Sequence, residues 1–170
     1  MKLRSIGCDQ FAGISGREVK LGDGLNVICG KNESGKSTLV SLAEKTLFRN
    51  VKLGNSLSAD LSFKKAFFPS EKKGSAYTGD SIDGRVTFET DKGSFTIKKE
   101  WGPNASCVLT AQGARISNKE TIEKMLKEFL VYGEGVYSEM LLSPQRNADT
   151  VLAALLDPKA NTDGKTELTS

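Results

Sequence analysis

Nine consecutive residues, Gly30-Lys31-Asn32-Glu33-Ser34-Gly35-Lys36-Ser37-Thr38, constrain this chain more than any other stretch. The first eight, Gly30 to Ser37, match G-x-x-x-x-G-K-[ST] at every position. The apolar run Leu25-Asn26-Val27-Ile28-Cys29 enters them and reads as a short, buried central strand. Lys36 to Phe48 leaves them as a helix, with Leu39, Leu42, Ala43 and Leu47 at helical spacing. A strand, a glycine-bearing loop and a helix in that order make an anion cradle. Gly30 and Gly35 let the backbone curl until successive N–H groups point inward. Lys31, Asn32, Glu33 and Ser34 act mainly through those backbone groups. The helix adds its dipole and its unpaired first amides. Lys36 is expected to set a cation between the outer phosphates. The Ser37 hydroxyl is a hard oxygen ligand suited to Mg²⁺, which keeps most of its waters. The expected ligand is therefore ATP with Mg²⁺, held by residues 30–38. The loop alone does not name a reaction, because kinases, GTPases, transporters and DNA-repair motors share it.

Composition narrows the setting. The chain has 170 residues, 38% hydrophobic and 26% charged, enough for a packed core. A net charge of +3 without His is too small an excess to argue nucleic-acid binding by itself. No apolar run approaches the roughly 20 residues that span a bilayer. Met1-Lys2-Leu3-Arg4 lacks the apolar core of a signal peptide, so a cytoplasmic location and no membrane partner are expected. Cys8, Cys29 and Cys107 form no C-x-x-C pair, and no His completes a zinc site. Buried, reduced thiols are expected, with Cys29 a small hydrophobe inside its strand.

The rest of the chain reads as strands, turns and two further helices. Lys2 to Cys8 and Arg17 to Leu21 are strands, and Gly22-Asp23-Gly24 is a turn. Residues 50–82 carry little pattern. Arg85 to Glu89 and Ser94 to Trp101 flank the hairpin turn Asp91-Lys92-Gly93. Cys107 to Thr110 and Arg115 to Ser117, around Gln112-Gly113, suggest a second hairpin. Ser117 to Val131 predicts a helix capped by Ser117 with Glu120, and striped by Ile122, Met125, Leu126, Phe129 and Leu130. Thr150 to Leu156 predicts a short helix. The expected layout is one lobe over residues 1–156 and a polar tail over 157–170.

With these motifs in place, the N-terminal half resembles the N-terminal head lobe of the SMC, SbcC, RecF and RecN group of ABC-type ATPases. The opening strands and loop look closest to bacterial YhaN-like AAA proteins. The resemblance is strong over residues 1–49 and looser over 85–156. It implies an α/β P-loop NTPase fold with an antiparallel β subsheet. It also implies that Gln145, in Met140-Leu141-Leu142-Ser143-Pro144-Gln145-Arg146, is the Q-loop glutamine that touches Mg²⁺ and the attacking water. Lys36 and Gln145 would be the residues serving the reaction. The family's Asn-Phe-Arg segment, which helps hold adenine and ribose, is Gln10-Phe11-Ala12 here. Its arginine is missing, and Phe11 reads as core rather than as a stacking platform.

Two segments imitate the remaining ATPase motifs. Leu142-Ser143-Pro144-Gln145-Arg146 imitates the signature, but Pro144 lacks an N–H and carries a bulky ring. Thr150 to Leu156 imitates a Walker B strand, but its Ala and Leu residues prefer helix. Asp157 precedes Pro158 rather than a glutamate base. In the resembled group the absent motifs lie in a C-terminal lobe beyond a coiled coil. The chain is thus expected to be half of a composite ATPase, inactive alone. Its implied partners are that C-terminal lobe and a second head joined upon ATP binding. DNA enters through the alternative of a non-catalytic module, in which lysines 64, 65, 72, 73, 98 and 99 could contact phosphate backbones, although solvated loop and strand ends are the favoured reading of them. DNA repair or chromosome maintenance is the implied setting. A small P-loop kinase and a non-catalytic interaction module remain as alternatives, although arginines 49, 85, 115 and 146 do not cluster into a kinase lid.

Overall fold

Alternation of apolar and polar residues, punctuated by tight turns, sets six antiparallel strands. The computed structural model describes residues 1–54, 57–69 and 80–130. The strands are β1 (Lys2–Phe11), β2 (Ile14–Lys20), β3 (Ile82–Thr90), β4 (Gly93–Trp101), β5 (Ser106–Ala111) and β6 (Ala114–Ile116). They form one sheet in the order β2-β1-β3-β4-β5-β6. The helices are α1 (Lys36–Phe48), α2 (Ser58–Phe67) and α3 (Lys119–Phe129). The chain divides into two units, Met1–Ile122 and Glu123–Ser170.

Within the first unit, one face of the sheet is the core. Ile6, Cys8, Val86, Phe88, Ile97, Trp101 and Leu109 are buried there. Helix α1 packs on β1, β3 and β4. Gly84 permits that approach, since a Cβ there would collide with Thr46 Oγ1 and Leu42 Cδ1. The C-terminus of α1 presents carbonyls without helical partners. Lys99 Nζ donates to Leu47 O (3.1 Å) and Arg49 O (2.8 Å), and Trp101 Nε1 donates to Asn50 O (2.9 Å). Lys99 is 6% exposed. It is therefore a clamp on α1 and leaves the set of lysines considered for DNA contact. Its position on β4 puts it on the core face, where periodicity alone would want an apolar residue.

Helix α2 arises where the sequence carried little pattern. Its order comes from long-range aromatic packing. Phe63 lies 5.6 Å from Trp101 between ring centroids, and Phe67 lies 4.9 Å from Phe11. Arg49 stacks 5.2 Å over the Phe63 ring and pairs with Asp60. Phe11 is fully buried in this cluster, as expected of a core residue.

Two further expectations are corrected. Leu25 to Cys29 is not a strand, and it is not buried. Leu25 is 91% exposed, Val27 71% and Ile28 39%. Cys29 is exposed, so it is not the small core hydrophobe its apolar neighbours suggested. The physical reason is that no described element covers the segment, and a local turn closes its start. Gly22 N donates to Asn26 Oδ1 (2.8 Å), and Asn26 Nδ2 donates to Gly22 O and Gly24 O (both 3.1 Å). That side-chain turn competes with a ladder, and no described strand pairs with the segment. The second correction concerns α3. Thr121 N donates to Asn118 Oδ1 at 2.9 Å, so Asn118, not Ser117, caps the helix. Asn118 directly precedes the first helical residue, which puts its side chain in reach of the third amide. Ile122, Leu126, Phe129 and Leu130 are buried, in line with the predicted stripe.

Candidate functional site

The glycine loop runs straight into α1. Gly35 holds the junction at φ 87° and ψ 13°, in the left-handed region. A Cβ on Gly35 would lie 2.6 Å from Ile14 Cγ2, so strand β2 leaves room for glycine alone. Leu39 N donates to Gly35 O at 2.9 Å, closing the first helical turn. Among the described residues no side chain caps α1, and no acidic residue occupies its first turn. The amides of Lys36, Ser37 and Thr38 therefore face the loop without an internal anion. That is the arrangement in which a helix N-terminus attracts phosphate.

Lys36 Nζ donates to Gly30 O and Lys31 O, both at 2.7 Å. These bonds draw the start of the loop around the ammonium group and fix the charge at its mouth. Ser34 N donates to Lys31 O at 3.3 Å, and Glu33 adopts φ 63°. Lys31, Asn32, Glu33, Ser34 and Ser37 are exposed. Residues 32–38 line one concave surface, and Gly30 borders its smaller neighbour.

The facing wall is something the motif does not specify. A cleft of about 630 Å³ is lined on one side by residues 32–38 and on the other by Gly13, Ile14, Ser15 and Arg17. A smaller cleft of about 220 Å³ is bordered by Arg17, Val19, Ile28, Cys29 and Lys36, among others. Sequence reasoning treated Arg17 only as a strand residue and gave Ser15 no part. No sequence signal pairs them with the loop, because the hairpin fold brings them there.

That wall is anchored from below. Asp83 Oδ1 accepts from Asp9 N and Gln10 N, both at 2.8 Å, beyond the point where β1 pairs with β3. Ala12 N donates to Phe67 O at 2.9 Å, which holds the β1–β2 turn on α2. Ala12 accordingly tolerates φ 50°. Burial pushes the Cys8 thiol up to about 11, and the Asp83 carboxylate adds to the effect. Cys8 is thus a neutral core group. Arg4 pairs with Glu89 and Asp23, and Asp23 is drawn below the ordinary carboxylate range by hydrogen bonds from Lys2 and Arg4.

Among the described residues there is no group of three His, Cys, Asp or Glu side chains that could hold a metal. Mg²⁺ that arrives on a nucleotide needs fewer protein ligands, and the Ser37 hydroxyl at the first turn of α1 fits it. Gln145 lies outside the described residues, as do the signature-like segment around Ser143 and the predicted helix from Thr150. No described helix is long and apolar enough to cross a membrane.

The AAA domain family matches residues 3–141. The chain belongs to that family. The matched span of this AAA domain includes the loop, both walls of the cleft and every described strand apart from Lys2 at the start of β1, and it stops short of Gln145. Two solved structures are similar to it in fold. One comes from work on ATP-driven dimerization and DNA-stimulated activation of SMC ATPases. It has a TM-score of 0.47 and 17% identity, covering 75% of this chain and 78% of that chain. The other is the SMC head domain from Thermotoga maritima, with a TM-score of 0.47 and 17% identity. There the match covers 73% of this AAA domain and 42% of that chain. Among curated proteins none matches.

Proposed function

We propose that this AAA domain binds ATP with Mg²⁺ and forms the N-terminal half of an SMC-like ATPase head. The observation that carries the reading is the uncapped N-terminus of α1, opening with Lys36 into a cleft of about 630 Å³. That volume falls within the roughly 300–1,000 Å³ usual for small-ligand sites. Backbone amides of residues 32–38 and the Lys36 ammonium hold the phosphates, and Ser37 ligates Mg²⁺. Neutralisation and positioning of the phosphates are most of what phosphoryl transfer asks of a protein.

Hydrolysis is assigned to a composite site. The apolar Leu25, Val27 and Ile28 stand exposed directly before the loop, which supports a partner lobe that pairs with this segment. The C-terminal lobe of the same parent protein and a second head, joined on ATP binding, would complete the chemistry. Gln145 is proposed to report the nucleotide to that partner. DNA is the proposed partner of the assembled ATPase, in repair or chromosome maintenance. The exposed Lys65 remains a candidate contact, while Lys99 does not.

The test is a titration of ATP, with and without Mg²⁺, on the chain and on Lys36→Ala. Saturable binding that needs Mg²⁺ and weakens at least tenfold in the variant is expected. Equal affinity of the two proteins would refute the phosphate assignment. Rapid ATP turnover by this chain alone, abolished in Lys36→Ala, would refute the composite site.

A further inference from the structure

The cleft has a second cation that the phosphate loop does not supply. Arg17 lines both the larger cleft and its smaller neighbour, opposite Lys36. It is exposed on β2. Arg4, Arg49 and Arg85 each have an acidic partner. Arg17 has none among the described residues. Among the described residues on the cleft lining, the only one of opposite charge is Glu33, on the loop.

Backbone geometry aims it there. Ser15 and Arg17 pair with Gln10 and Cys8 of β1, and Gly16 between them sits at φ 56°. A left-handed residue inside a strand breaks the strict alternation of side chains. Ile14, Ser15 and Arg17 can then all border one cleft. A Cβ on Gly16 would meet nothing within 4 Å, so the glycine answers to conformation and not to crowding.

We propose that Arg17 is a phosphate-positioning residue, gripping the nucleotide's phosphate chain from the β2 wall while the loop holds it from the other side. The inference rests on the reading of this cleft as an ATP site. Guanidinium suits the task, because its planar fork bonds two phosphate oxygens at once and stays charged. Lys36 Nζ is already engaged by two loop carbonyls, so a second donor adds charge that the loop lacks.

The experiment titrates Mg-ATP and inorganic tripolyphosphate into the wild type, Arg17→Ala, Arg17→Lys and Lys36→Ala, with circular dichroism to confirm folding. Arg17→Ala is expected to weaken both ligands by about tenfold, the scale of one or two charge-assisted bonds. Arg17→Lys is expected to recover part of the loss, since a point charge replaces the fork. Unchanged affinity in Arg17→Ala, with binding lost in Lys36→Ala, would overturn the role of Arg17 and leave the ATP site standing. Weakened ATP with unchanged tripolyphosphate would move Arg17 to the base or ribose and also overturn the assignment. If the wild type binds neither ligand, the ATP reading itself fails and takes this inference with it.

Discussion

Gly35→Ala tests how the phosphate loop is seated on strand β2. Two costs follow from the geometry. The first is conformational, since an L-residue at φ 87° loses about 1–2 kcal/mol relative to glycine. The second is steric. The new Cβ would stand 2.6 Å from Ile14 Cγ2, against the roughly 3.5–4.0 Å of a relaxed carbon contact. Ile14 is 8% exposed and packed, so relief requires movement of the loop or of β2. Overpacking of this kind costs about 1–3 kcal/mol. The sum is about 2–5 kcal/mol, and only the steric part depends on Ile14. Ile14→Ala removes the offending methyl and costs about 2–5 kcal/mol by itself. The double variant should therefore be less damaged than the sum of the singles by about 1–3 kcal/mol. Urea unfolding of all four proteins measures this. Trp101, the single tryptophan and fully buried, provides the fluorescence signal. Additivity within about 0.5 kcal/mol would refute the claim that Ile14 is what confines position 35.

Two further outcomes follow from the buried groups. Lys99→Met keeps the stem but leaves the Leu47 and Arg49 carbonyls without their ammonium, so thermal unfolding should fall by about 4–10 °C, reflecting about 2–3 kcal/mol; an unchanged midpoint would remove Lys99 from the α1 clamp. Iodoacetamide at pH 8 should label exposed Cys29 first, with saturating Mg-ATP slowing it, while Cys8 stays unlabelled because its thiol is buried and holds its proton up to about 11. The sign follows from the raised value: the thiol stabilises the fold below pH 9.0 and loses that contribution as pH climbs toward about 11. Cys8 labelling at the rate of Cys29 would contradict its place in the core.

Much of this chain was legible without coordinates, and the legible parts share a cause. Helix α1 spans Lys36–Phe48 as its spacing of Leu39, Leu42 and Leu47 required, because helical periodicity is a property of neighbours in sequence. The β3–β4 and β5–β6 hairpins followed from Gly93 and Gln112-Gly113, which accept the positive φ that such turns need. The loop itself is a local anion cradle, so its nine residues were identifiable by type and order alone.

What the tertiary structure decided depends on contacts between residues far apart in the chain. Helix α2 is organised by Phe11 and Trp101, which lie tens of residues away in either direction. Lys99 looked like a surface cation, but β4 places it beneath the carbonyls of α1, where two hydrogen bonds offset the cost of its burial. Leu25 to Cys29 looked like a buried strand, yet an apolar run is buried only when another element covers it, and no described element does. Arg17 looked like one residue of an alternating strand, and the hairpin between β1 and β2 carried it to the phosphate loop. The sequence alone determined that a glycine-loop cradle opens helix α1 here, because the cradle is built from consecutive backbone amides. Only the fold decided what faces that cradle, because the opposite wall is assembled across a turn and a sheet.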